Sequence, residues 1–200
     1  MQYNIDGDPI RKGVKIMAYD SIVRSVAKLK AKCGDTDPFA LCSLLGIPVC
    51  YSAMGSGKDA IKGFFVKSNR IKVITVNSDL PYMIQRIITA HELGHAMLHA
   101  DSGMQAFHEL ALFDDSSRCE KEANLFASEL LISDDDFFAA LENGQAFCQA
   151  ASSLNVPPEL LDFKARLMKE KGYTLANSPI TANNKFLKSM AVPDCDEYGC

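Results

Sequence analysis

"ITAHELGHAMLH", residues 88–99, carries three of the four histidines in the chain, with Glu92 beside the first of them. The residues before it decide how it folds. Starting at Ile84 and turning about 100° per residue, Ile87, Ile88, His91, Gly94, His95 and Leu98 all fall on one side. This spacing predicts an amphipathic helix from Pro81 to about His99, with His91 and His95 turned inward alongside the isoleucines. A buried imidazole must have its nitrogens satisfied, because an orphaned polar group costs about 1–3 kcal/mol. A divalent metal held between positions i and i+4 satisfies two imidazoles together. Glu92 lies about 80° round from the stripe, too far to be a natural third ligand but placed to touch a water on the metal. That is the His-Glu-x-x-His pattern of zinc hydrolases. There the metal lowers the pKa of its water toward about 7, and the glutamate takes the proton as the water attacks a carbonyl. The structural alternative is a helix with two satisfied core histidines.

A catalytic zinc needs one more protein ligand and an open position. An extended His-x-x-Gly-x-x-His continuation would require glycine at 98 and histidine at 101, where the chain has Leu98 and Asp101. A carboxylate on a following helix is the other route. "SRCEKEANLFASELLI", 117–132, offers Glu120, Glu122 and Glu129. Ala123, Asn124, Ala127 and Leu131 share the face of Glu120, whereas Glu122 and Glu129 lie opposite. The small alanines let this helix approach the first, so Glu120 is the favoured third ligand, with Glu122, His108, Asp114 and Asp115 as alternatives. Asn124, one turn on, is placed to hydrogen-bond a ligand histidine. A solvated first-turn glutamate favouring its helix dipole is the plain alternative for Glu120.

Outward from these two helices the chain reads as α+β. Residues 19–32 carry Ile22, Val23, Val26 and Leu29 at helical spacing, and "DPFALCSLLG" is a short helix opening at Pro38 and ending at Gly46. "IPVCYSAM", "KGFFVKSN" and "RIKVITVNS" predict a small three-stranded antiparallel sheet. A loop follows through Asp101, Gly103, Asp114 and Asp115, then two or three short helices between Asp134 and Gly172. "GSGK", 55–58, fails as a phosphate loop: the required first glycine falls on Ser52, and Asp59 follows the lysine. A hairpin turn is the reading preferred there.

The 200 residues hold 48% hydrophobic and 23% charged side chains with a net charge of −4, ordinary for one globular domain. No basic footprint points to nucleic acid, and no apolar run nears the roughly 18 residues of a membrane span. The N-terminus lacks the pattern of an export signal. The seven irregularly spaced cysteines therefore read as reduced thiols of a cytoplasmic protein. Cys195 and Cys200 form a weak candidate metal pair that nothing nearby complements. Read as a DNA-binding helix-turn-helix, "QAASSLNVPPELLDFKARLMKEK" lacks the positive face that phosphate contact needs, because its lysines and arginine are nearly cancelled by Glu159, Asp162 and Glu170.

"HELGHAMLH" followed by "EKEANLFASELLI" resembles the ImmA/IrrE family of metallopeptidases, over roughly residues 20–170. The family ends its second motif in Met-Pro where this chain has Ile132 and Ser133. The resemblance implies one Zn2+ per chain on His91, His95 and Glu120, with Glu92 as catalytic base; the ligand set alone leaves Mn2+ or Fe2+ open. It implies a zincin-like metallopeptidase domain, placed here over 19–133; residues 1–18 read as an N-terminal extension, 134–173 as a helical C-terminal region of the same domain, and 174–200, polar and with little periodicity, as a flexible tail. It also implies a protein substrate, a helix-turn-helix repressor of a mobile element or stress regulon. The rival is a metal-containing protein that inactivates a repressor by holding it without cleavage. For the oxyanion, Tyr51, Tyr82, Arg86, His99 and His108 are the candidate donors. His99 lies about 10 Å along the helix from Glu92 and equally suits a helix-end histidine facing the C-terminal dipole. If "GFFVKSN" or "RIKVITVNS" forms a sheet edge beside the cleft, an extended substrate would add to it as a strand.

Overall fold

A computed structural model describes residues 9–34, 36–57, 59–100, 106–109, 113, 117–142 and 146–175, as backbone alone at 9–18, 106–109 and 142. Helix α1 spans Pro9–Cys33, so half of the segment expected to be an extension is already helical. Its inward face, Ile22, Val26 and Leu29, is buried as the spacing predicts. Helix α2, Pro38–Leu44, starts where Asp37 accepts a hydrogen bond from the Ala40 amide at 3.1 Å and Pro38 supplies a pre-set φ.

The sheet corrects the expectation of three antiparallel strands. Strands β1 (Val49–Ser52), β2 (Gly63–Ser68) and β3 (Ile71–Asn77) are joined by a fourth, β4 (Ala106–Glu109), in the order β1-β3-β2-β4. β4 lies in the segment read from sequence as a loop. β2 and β3 form an antiparallel hairpin through Asn69, which takes a positive φ of 55°. β1 runs parallel to β3, with Val49 opposite Ile74. The reason lies between β1 and β2, where residues 53–57 and 59–62 belong to a connection that places β2 on the far side of β3 instead of beside β1. Residues 55–57 of "GSGK" therefore belong to a crossover and not to a hairpin, Lys58 lying outside the described residues. Buried Asn77 anchors that crossover: its Nδ2 donates to the carbonyls of Gly55 and Ile61 at 2.7 and 2.8 Å, and its Oδ1 accepts from the Met54 amide at 3.3 Å. A strand order set by one asparagine and a ten-residue detour leaves no trace in residue periodicity.

A second correction follows. Both β2 and β3 are interior, so neither offers an edge to an extended substrate. Among the described residues the edges belong to β1 and β4, and β4 is the one beside β2, with Glu109 opposite Gly63.

Helix α3, Tyr82–Leu98, is buried on every side from Ile87 to Ala96, beyond the single apolar stripe. The sheet covers one flank. A Cβ on Gly63 would stand 2.5 Å from Cγ2 of Ile88 and 2.9 Å from the Thr75 carbonyl oxygen, so only glycine lets β2 lie this close. Helix α4, Arg118–Leu131, covers another flank and is capped by Ser117, whose hydroxyl accepts from the Glu120 amide at 3.1 Å.

Helices α5 (Asp134–Glu142), α6 (Phe147–Ser153) and α7 (Pro158–Glu170) complete the described chain. Leu160, Leu161, Phe163, Leu167 and Met168 of α7 are buried, and so is Lys164, whose Nζ lies 2.6 Å from both Glu129 Oε2 and Asp134 Oδ1. Lys171 Nζ meets Glu129 and Asp134 at 2.8 Å. With these cations turned inward and Arg166 paired to Asp162 at 2.8 Å, α7 has no positive face for DNA. No helix among the described residues is long and apolar enough to cross a membrane. Cys195 and Cys200, with the rest of the predicted tail from Ala176, lie outside the described residues.

Candidate active site

Two helix surfaces meet to form the site. Gly94 lets them touch: a Cβ there would stand 3.2 Å from both the Ala123 Cα and the Phe126 Cβ. At that crossing α3 presents His91 and His95 one turn apart, and α4 presents Glu120 and Asn124 one turn apart. His91, His95 and Glu120 each place one ligand atom within 4.8 Å of the others. The two Nε2 atoms are 3.0 Å apart, and Glu120 Oε2 lies 3.2 Å from that of His91 and 3.5 Å from that of His95. Both histidines are fully buried, while the Glu120 side chain is 17% exposed and its Oε2, the atom facing them, is buried.

The hydrogen bonds behind the rings say which nitrogens carry protons. His91 Nδ1 is 2.9 Å from Asn124 Oδ1. With the amide so oriented the oxygen only accepts, so His91 donates from Nδ1 and its Nε2 carries a lone pair. His95 Nδ1 is directed at His99 Nδ1, 3.2 Å away. Burial, the largest influence on His95, lowers its pKa to about 4, which leaves the ring neutral at pH 7. With the His95 proton on Nδ1, toward His99, three electron-pair donors face one another at 3.0–3.5 Å. Neutral imidazoles in that position repel unless a cation lies between them. Bonds of about 2.0–2.1 Å in a tetrahedral site give ligand–ligand edges of about 3.3–3.4 Å, so the donor set fits a divalent metal in both chemistry and spacing.

Glu92 is fully buried. Its carboxylate lies where α3 meets the sheet, with Oε1 3.8 Å from the place a Gly63 Cβ would take. The edge position expected of Glu92 on an amphipathic helix becomes, in the fold, the interface between α3 and β2.

The remaining candidates separate. Asn124 backs His91 directly. His99 is the C-cap of α3, and its ring stands between His95 and Glu122, with Nε2 2.9 Å from Glu122 Oε2. Tyr82 and Arg86 are not brought into the cluster. Tyr82 is 66% exposed and stacks on Phe39 at 5.8 Å, while Arg86 reaches Asp37 at 3.9 Å. Tyr51 is exposed on β1. His108 is paired with Phe64 through the backbone, its side chain lying outside the described residues together with Asp114 and Asp115.

Arg118 escaped the sequence reading, and Glu122 entered it only as an alternative third ligand. A face count puts Glu122 opposite Glu120, yet its carboxylate reaches the end of α3 and meets Arg118 Nε at 2.6 Å. Burial raises its pKa, but the bonds from His99 and Arg118 outweigh that and hold the carboxyl below its ordinary range. The available signal was the i, i+4 pair Arg118–Glu122 next to an acceptor-seeking His99.

A metal-dependent peptidase is the class that such a cluster and its neighbouring glutamate define, and residues 42–166, more than half of the chain, match the family model described as the IrrE N-terminal-like domain. The chain belongs to the ImmA/IrrE family of metallopeptidases. It is 29% identical over 145 residues to Metallopeptidase ImmA of Bacillus subtilis (strain 168), a match covering 71% of this chain and 80% of that protein. It is also similar to the "uncharacterized immunity region protein 2" of Bacillus phage phi105, at 34% identity over 116 residues, 58% of this chain and 71% of the phage protein.

Proposed function

We propose that this chain is a cytoplasmic, zinc-dependent endopeptidase that cleaves a helix-turn-helix repressor of a mobile element or stress regulon. The observation that carries the catalytic half is the convergence of one ligand atom each from His91, His95 and Glu120 within 4.8 Å, with Glu92 buried next to His91 on the same helix. His91, His95 and Glu120 would hold the ion. Bound there, a divalent cation supplies Lewis acidity and a water of lowered pKa. Glu92 then acts as general base: it accepts a proton from water as the oxygen bonds to the scissile carbonyl carbon, and returns it to the amine as the C–N bond breaks. Its burial beside the sheet keeps the carboxylate in one place while substrate comes and goes. Zinc is favoured by a set of two imidazoles and one carboxylate. The repressor half rests on the relatives, one named ImmA and one named for a phage immunity region.

The test is incubation with helix-turn-helix proteins from the same operon, with and without chelator, read by intact mass. Chelator-sensitive appearance of two fragments from one of them is the expected result. Regulation of the repressor with no cleavage in either arm would overturn the peptidase reading in favour of a holding protein.

A further inference from the structure

Arg118, Glu122, His99 and His95 form one chain of side chains that runs from the surface of α4 to the ligand cluster, and the catalytic reading does not use its first three members. We propose that His99 and Glu122 are positioning residues that hold His95 in the tautomer and orientation a metal ligand needs; this rests on the metal reading above.

For neutral rings, the direction of each bond follows from the chemistry of its ends. The Arg118 guanidinium only donates, and it reaches Glu122 Oε1 at 2.6 Å. The Glu122 carboxylate only accepts, so the 2.9 Å bond to Oε2 is donated by His99 Nε2. In the neutral form of the ring, a proton on Nε2 leaves a lone pair at Nδ1. The 3.2 Å contact is then donated by His95 Nδ1, and the lone pair of His95 is left on Nε2, facing His91 and Glu120. No other proton arrangement of neutral rings satisfies all three contacts.

Two rival roles for His99 fit less well. A helix-end histidine serving the dipole would aim an imidazolium at the last carbonyls of α3, but both ring nitrogens point at side chains. An oxyanion donor would need a nitrogen turned to the substrate, and His99 is buried with its Nε2 on Glu122.

The chain also ranks its members. Arg118 is 73% exposed, so solvent screens its pull on Glu122 and its loss should matter least. His99 touches the ligand and should matter most. The two ligand histidines are thus supported unequally, His91 by a neutral amide and His95 by a ring backed with a carboxylate, which raises ligand basicity.

The experiment is a Zn2+ competition titration against a chromophoric chelator, alongside urea unfolding of the metal-free proteins. His99→Phe should weaken zinc binding about 10–100-fold. His99→Gln, whose amide can accept from His95 and donate to Glu122, should restore most of it. Glu122→Gln should fall between, which also serves if His99→Phe does not fold. Zinc affinity in His99→Phe or Glu122→Gln equal to that of the unaltered protein would overturn the relay while leaving the metal reading intact. Failure of the unaltered protein to bind zinc would instead remove the metal reading, and the relay with it.

Discussion

Gly94 and Ala123 meet backbone to backbone: a Cβ on Gly94 would stand 3.2 Å from the Ala123 Cα and 3.3 Å from its carbonyl oxygen. This contact sets how far Glu120 and Asn124 stand from His91 and His95. Alanine in an exposed helix interior is favoured over glycine by about 1 kcal/mol. Here the obstructing atoms are backbone and can yield only if α4 moves, so overpacking, at about 1–3 kcal/mol, should win. Gly94→Ala is expected to destabilise the protein in urea and to weaken zinc binding; increased stability with unchanged affinity would show that the crossing has slack.

Glu92→Gln separates chemistry from binding. Loss of the general base should lower turnover of the repressor by at least about 100-fold. Zinc should still raise the unfolding temperature, since the ligand set is untouched and binding to the folded state alone stabilises it. Retained cleavage would remove Glu92 from the mechanism.

Asn124→Ala removes the acceptor for His91 Nδ1, 2.9 Å away, and leaves a buried donor unpaired. Zinc affinity should drop about 10–100-fold. Competition against a chelator reads this directly, and an affinity unchanged within twofold would mean that His91 needs no such support.

Lys164 is fully buried between Glu129 and Asp134. Removing one partner of a buried pair strands the other charge, so Lys164→Met should destabilise by about 3 kcal/mol, measured by urea unfolding. Lys171 still faces both acids, which keeps the loss from being larger. A variant as stable as the parent would mean the cluster is replaceable by packing alone.

The same cluster shapes the acid limb of stability. Burial raises the Asp134 carboxyl, but its bonds to Lys164 and Lys171 outweigh this and hold it below its ordinary 3.8. A depressed carboxylate adds stability that is present above the unfolded pKa and is lost as pH falls through the folded one. Stability should therefore decline below about pH 4, and less steeply in Lys164→Met. Parallel acid limbs for the two proteins would disconnect Asp134 from the effect.

Several parts of this molecule were legible in one dimension because they depend on neighbours along the chain. The spacing from Ile84 to Leu98 predicts a helix over Pro81–His99, and the structure has one at Tyr82–Leu98. Ser117 marks the start of α4 at the position its capping chemistry requires. The 3.6-residue repeat alone put His91 beside His95 and Glu120 beside Asn124. Other parts depend on what lies opposite. β1 is parallel because a ten-residue crossover pinned by Asn77 leads away from it, and β4 became a strand because β2 offered it an edge. Glu92 is buried all round because Gly63 admits the sheet, and Glu122 reaches His99 although a face count turned it away. Local periodicity determines which side chains share a face. Which faces meet, and how closely, is decided by backbone approach at Gly63, Gly94 and Ala123, and that information exists only once the chain has folded.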